Sequence, residues 1–296
     1  MLVFFHPPDY ESLSESRESR KMYETQFMEL YRRLGVVTET NQGVPLHTNC
    51  GCREACWRVI AGRTPPPQSG ERSHISLPWV GSNYGKAKLL VVGENLNECG
   101  GLGAVSSLVR QAQEKIRAGR RRIFKGVYEN GEKYNGTDLY FKAGSYVTAL
   151  ISEYLPELAL PDEPRLSLGQ LIAVAYDYIA YTNQVKCSPS GKKSSASPEM
   201  WKACGRHILK EEINILKPEK ILILGVQNNK YFFGTSVLDS EPKWSPYGTG
   251  GTVFACDCSL DGRSLRVFAV PHPSYFRAKR ETIRAALADA VDKLSQ

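Results

Sequence analysis

No apolar run in this 296-residue chain approaches the length a bilayer-crossing helix needs, about 20 residues. Its opening residues, Met1-Leu2-Val3-Phe4-Phe5-His6, are too short a stretch for a secretory leader and carry neither a basic start nor a cleavage site. No internal repeat is present. A complete G-x-G-x-x-G is missing as well. Gly101-Leu102-Gly103 falls too late after the nearest strand-like run and lacks the downstream acid, which argues against a dinucleotide-binding fold. These absences point to a globular, cytoplasmic protein with no membrane partner, long enough to bury a large core. In that compartment the eight cysteines are expected to be free thiols or metal ligands rather than disulfides. The net charge of +7 suits a polyanionic partner.

What is present begins with cysteine spacing. The run Tyr181-Thr182-Asn183-Gln184-Val185-Lys186-Cys187 ends a strand-like stretch. After a Ser/Lys-rich loop, Ser197-Pro198-Glu199-Met200-Trp201-Lys202-Ala203-Cys204 opens a helix, with Ser197 as N-cap and Pro198 at the first helical position. Far upstream, Cys50, Cys52 and Cys56 share one short segment. Thiolates from two distant segments, each rigidly anchored, suit a metal or iron–sulfur centre. Such a centre would clamp the N-terminal region onto the core. Cys256 and Cys258 fall on one side of a strand and read as structural thiols.

Hydrophobic periodicity predicts an amphipathic helix over 10–34, with Met22, Phe27, Leu30 and Leu34 at helical spacing. A linker over 35–48 and a short helix over 50–61 follow. The apolar run 88–93 reads as a buried parallel strand, and 104–118 as a helix. Residues 119–141 are basic, aromatic and turn-rich, like an insertion. Then come helix 143–154, strand 176–184, helix 198–216, strand 220–224 and helix 226–232. Strands 252–258 and 264–270 pair across Leu260-Asp261-Gly262-Arg263, and helix 278–294 closes the chain. Alternating strands and helices predict an α/β fold with a mostly parallel sheet of about four strands.

In such sheets ligands bind beyond the carboxyl ends of the strands. Glu94, Asn183 and His272 fall there. Asn183 offers a donor and an acceptor on one side chain, enough to read the edge of a base. His272, held between Pro271 and Pro273, can be aimed at a departing anion. Glu94 can position water, or stabilise positive charge on a sugar as a glycosidic bond loosens.

Taken in order, the Cys-rich segment, Leu89-Leu90-Val91-Val92-Gly93-Glu94, Thr182-Asn183-Gln184-Val185-Lys186-Cys187 with a second Cys 17 residues on, Lys217-Pro218-Glu219 before an apolar strand, and Val270-Pro271-His272-Pro273-Ser274 carry a resemblance. The chain resembles the uracil-DNA glycosylase superfamily, above all its iron–sulfur (family 4) branch, over residues 50–104 and 142–280 with gaps. The resemblance implies an α/β/α sandwich over 49–296 with residues 1–48 as an N-terminal helical extension. It implies a monomeric, monofunctional DNA glycosylase that flips a nucleotide of single- or double-stranded DNA and leaves an abasic site. Glu94 and His272 then carry catalysis, and Asn183 reads the base. Cys187, Cys204, Cys56 and either Cys52 or Cys50, with Cys52 preferred, hold a [4Fe-4S] cluster, with zinc as the alternative. Tyr140 or Phe141 stacks on the flipped base. The Ser274, Tyr275, Phe276, Arg277 loop wedges into the duplex. Arg120, Arg121, Arg122, Lys192 and Lys193 meet phosphates.

The chain departs from the family pattern beside the substrate. Gly93-Glu94 is followed by Asn95-Leu96-Asn97-Glu98 where the family has a small residue and Pro-Gly, which adds Asn95 and Glu98 as second players. The base removed is therefore uracil or another altered base, such as a decorated cytosine of phage DNA. A non-catalytic nucleic-acid-binding homologue is the reading from a different class.

Overall fold

The computed structural model describes residues 10–34, 76–94, 104–117, 122–124, 127–128, 137–154, 172, 174–186, 196–273 and 280–295. The elements in chain order begin with α1 (Tyr10–Arg33), β1 (Trp79–Val80), α2 (Tyr84–Ala87), β2 (Leu89–Gly93), α3 (Ala104–Arg117), β3 (Arg122–Phe124) and β4 (Val127–Tyr128). They continue with α4 (Thr137–Tyr154), β5 (Ile179–Asn183), α5 (Pro198–Cys204), a π turn (Gly205–Leu209), α6 (Lys210–Leu216) and β6 (Lys220–Leu224). The last are α7 (Asn228–Ser236), β7 (Ser245–Tyr247), β8 (Val253–Leu260), β9 (Arg263–Val270) and α8 (Arg280–Ser295).

Four apolar strands that are buried on both faces pair in parallel, in the order β5-β2-β6-β9. This is the expected parallel core, but the sheet has seven strands. β1 adds antiparallel to β5, and β8 and β7 extend antiparallel from β9. The two outermost strands are only two and three residues long, too short to show a period in the sequence. The β8–β9 turn places Asp261 and Gly262 at φ 49° and 73°. Two successive left-handed residues make the tight turn whose twist suits a hairpin.

Alternation sends Leu89, Val91, Ile179, Tyr181, Leu222 and Phe268 to one face, against residues of α3, α4 and α8. Leu90, Val92, Ala180, Ile221, Ile223 and Val267 line the other, against α6, α7 and Phe27 of α1. The result is a three-layer α/β/α sandwich.

α1 is bound into this body. Its buried stripe runs through Phe27, Leu30 and Tyr31, whereas Met22, expected on that stripe, is 49% exposed. Tyr31 reaches a fully buried carboxylate on α6, donating its hydroxyl to Glu212 Oε1 (2.5 Å). Glu212 Oε2 also accepts from Thr182 Oγ1 of β5 (2.9 Å) and from Lys186 Nζ (2.5 Å), while Lys186 Nζ donates to Thr182 Oγ1 (2.6 Å). A buried charge is tolerated only when paired and hydrogen-bonded, and this one has three donors from three segments.

Other boundaries shifted for local reasons. Ser197 Oγ caps α5 by accepting from Met200 N, as expected. The helix expected over 198–216 widens into the π turn at Gly205, where a methyl group would fall 3.0 Å from Ser236 Cβ, so α7 approaches closely there. α4 starts at Thr137 rather than near residue 143, so Tyr140 and Phe141 lie inside the helix, not before it. The segment 119–141 holds the β3–β4 hairpin and runs into α4. The helix expected over 50–61 lies outside the described residues. Among the described residues, no helix is long and apolar enough to cross a membrane.

Removing the shared acceptor strands a buried lysine. Glu212→Ala is expected to cost about 3–5 kcal/mol in unfolding free energy, and Tyr31→Phe about 1.5–3 kcal/mol. Urea unfolding measures both, and unchanged midpoints would show that α1 is not fastened through this network.

Candidate active site

The ladder register decides which side chains meet. Gly93 pairs with Asn183, and Leu224 with Val270, so four chain segments leave the sheet at one level. Hydrogen bonding continues past the strands. Gln184 N donates to Gly93 O (2.9 Å), Val185 N to Glu94 O (2.9 Å) and Gly225 N to Val270 O (2.7 Å). Across the carboxyl edge the order is Asn183, Glu94, Gly225 and then Pro271-His272. The three residues expected to carry chemistry are thus brought to one edge.

Asn183 is 6% exposed, yet its side-chain amide makes no hydrogen bond among the described residues. Gly93 opposite makes its room: a methyl group there would fall 2.4 Å from Asn183 Oδ1 and 2.6 Å from the Tyr181 hydroxyl.

Glu94 is partly buried, and nothing charged among the described residues offsets its desolvation. Burial pushes its carboxyl up from the ordinary range to about 7. The Tyr181 phenol is raised as well, first by burial and then by the Glu94 charge, so it stays neutral beside the carboxylate. Gly225 leaves β6 at φ +128°, where a methyl group would fall 2.8 Å from Glu94 Oε1. Asn229, in the first turn of α7, donates its Nδ2 to Val92 O (3.1 Å) and Leu224 O (3.0 Å). It staples β2 to β6 directly beneath Glu94 and Gly225.

His272 is partly buried between buried Pro271 and Pro273. Tyr181, Gly225 and Asn229 were not singled out from sequence for any role at the site. A Gly followed by two asparagines between strand and helix was the one signal available, because such turns favour those residue types.

Of the four expected cluster ligands only Cys204 is described. Its thiol is fully buried, in a cluster with Val185, two residues before Cys187, and with Leu30 and Tyr31 of α1. That environment fits a ligand facing the segment that leads to Cys187. Among the described residues no three candidate ligands gather. Cys256 and Cys258 are free and pack with the core, as read. Asn95, Cys52, Cys56, Cys187, Lys192, Ser274, Tyr275, Phe276 and Arg277 lie outside the described residues, as do the side chains of Tyr140 and Phe141.

The arrangement can do three things: hydrogen-bond a planar polar ligand at Asn183, hold a carboxyl group poised near neutrality, and present an imidazole across the edge. The raised Glu94 has a consequence for stability. Its native form binds a proton that the unfolded form releases, so the fold loses stability as pH rises from about 4.5 to about 7. Glu94→Gln is therefore expected to stabilise the protein by about 1–2 kcal/mol at pH 8 and by almost nothing near pH 4. An equal effect at both pH values in urea unfolding would contradict the buried, unpaired carboxyl.

No individually curated protein matches the chain. The sequence profile of the uracil DNA glycosylase superfamily matches residues 129–295, a span that contains Asn183, Cys187, Cys204 and His272 and begins after Glu94. That match covers more than half of the chain, and with the sheet whose edge carries those residues it places this protein in the uracil DNA glycosylase superfamily.

Proposed function

We propose that this protein is a monofunctional DNA glycosylase that removes uracil, or a base with a closely related edge, and leaves an abasic site. The observation that carries the reading is the sheet register that sets the amide of Asn183 beside the poised carboxyl of Glu94. Superfamily membership supports the same chemistry, since its members are DNA glycosylases acting on uracil or related bases.

The flipped base enters at the carboxyl edge and satisfies Asn183, whose donor and acceptor match a base that offers one acceptor and one N–H side by side. As the N-glycosidic bond loosens, the sugar gains oxocarbenium character and the base gains negative charge. His272 donates a hydrogen bond to the leaving base, and ionised Glu94 faces the sugar and water. Lys186, the lysine nearest the base-reading residue in sequence, is buried against Glu212, and no Schiff-base step is assigned. The net positive charge draws the protein to DNA phosphates.

Cys187, Cys204, Cys56 and Cys52 would hold a [4Fe-4S] cluster whose role when bound is structural, fixing the segments on either side of Asn183. The fully buried Cys204 supports this assignment. Anaerobically purified protein is expected to be brown, with absorption near ~400 nm. Colourless protein with stoichiometric zinc would overturn the assignment.

The activity test is an end-labelled oligonucleotide with one deoxyuridine, treated with alkali after incubation. Cleavage is expected only after alkali, and Glu94→Gln is expected to slow it by at least about 100-fold while DNA is still bound. No alkali-labile site from deoxyuridine, with folded protein, would remove uracil as the substrate. A strand break without alkali would overturn the monofunctional mechanism.

A further inference from the structure

The two cysteines of β8 lie outside the glycosylase site and serve no step of it. Phe254, Cys256 and Cys258 alternate onto one face of the strand, toward α6 and α7, while Asp257 on the other face pairs with Arg266 (2.9 Å). Cys256 is 3% exposed and Cys258 is half-buried, so the pair is reached from the Cys258 side. The two thiols lie within hydrogen-bonding reach of each other. Cys258 Sγ also donates to Leu265 O of β9 (3.6 Å). From α7, Lys230 reaches over this face. Its Nζ is 3.7 Å from the centre of the Phe254 ring and 5.3 Å from that of Trp244, and its charge acts on Cys256.

Distances decide what such a pair can hold. Two residues of extended strand separate side chains by about 6.8 Å, whereas a disulfide needs Cβ atoms about 3.5–4.5 Å apart. β8 keeps its ladder with β9 at both cysteines, so closing that bond would break the ladder. An ion held by two thiolates at about 2.3 Å each spans about 4.5 Å between sulfurs, which side-chain rotation alone supplies. Zinc and iron–sulfur clusters take four ligands, and no third Cys, His, Asp or Glu joins the pair among the described residues. Two soft thiolates with nothing further suit a soft ion that is content with two ligands, copper(I). Two thiolates and one univalent cation leave a single net negative charge, and Lys230 is the cation beside it.

We propose that Cys256 and Cys258 form a two-coordinate site for a soft univalent ion, copper(I), with Lys230 as its counter-charge. The site is separate from the glycosylase edge and does not rest on that reading. Each thiol releases its proton as its sulfur bonds the ion, so one copper(I) enters and two protons leave to solvent, with no change of oxidation state.

The experiment adds copper(I), buffered by a chromophoric chelator, to the full chain without oxygen. It reads alkylation of Cys258 by iodoacetamide peptide by peptide, which keeps the other cysteines out of the measurement. One equivalent of copper(I) is expected to slow Cys258 alkylation at least about tenfold in the wild type, since a metal-bound thiolate is no longer a free nucleophile. Cys256→Ser is expected to lose that protection, and Lys230→Gln to weaken the affinity about tenfold. X-ray absorption of the copper-loaded protein is expected to show two sulfurs and no other ligand. Unchanged alkylation in the wild type, protection that persists in Cys256→Ser, or equal protection by zinc(II) would overturn the site. If Cys256→Ser does not fold, Lys230→Gln and the wild-type absorption spectrum decide, because both keep the two thiols. Unaltered affinity in Lys230→Gln, or nitrogen or oxygen ligands on the copper, would then overturn it.

Discussion

The hydrogen-bond register of the four parallel strands is the constraint on which the rest of this protein depends. β2, β5 and β6 are short and buried on both faces, as is the second half of β9, so a slip of one residue would send an apolar set to the wrong layer. That penalty holds Gly93 level with Asn183 and Leu224 level with Val270. The polar residues that follow therefore meet at one edge without any polar contact having to assemble them. Site geometry here is inherited from core packing.

Two glutamates show how the same side chain is put to different uses by its surroundings. Glu212 is completely buried and takes donors from α1, β5 and the segment leading to Cys187. Its charge is spent on fastening segments. Glu94 is only partly buried and has no such donor among the described residues, so burial alone lifts its carboxyl to about 7. A group left half desolvated and unpaired costs stability and gains reactivity near neutral pH. The glycines around it serve the same end. Gly93 makes room for Asn183 and Tyr181, and Gly225 makes room for Glu94.

Much of this was legible in the sequence. Three of the parallel strands are short apolar runs that end at or run into Gly or Asn, the fourth runs into Pro271, and the β8–β9 hairpin announces itself by an Asp-Gly turn. Their ends pointed to Glu94, Asn183 and His272. Other features were not legible, for physical reasons. β1 and β7 owe their existence to pairing with longer neighbours. The burial of α1 depends on Tyr31 meeting Glu212, 181 residues away, which no periodicity encodes. On α1 Phe27, Leu30 and Leu34 pack inward as read, but Met22 faces solvent and Tyr23 takes the inward place. The site roles of Gly225 and Asn229 follow from a backbone at positive φ and from an amide spanning two strands. Both are properties of the assembled sheet rather than of a local run of residues.

The central claim is that this edge hydrolyses an N-glycosidic bond, with water supplying the new oxygen on the sugar. The direct measurement is intact-mass analysis of a deoxyuridine oligonucleotide incubated with the protein. The account expects an unbroken strand that has lost its base and carries a hydroxyl at C1′, together with free uracil. An oligonucleotide bound by the protein yet unchanged in mass would contradict it, as would a strand broken at the baseless site or left covalently attached to the protein.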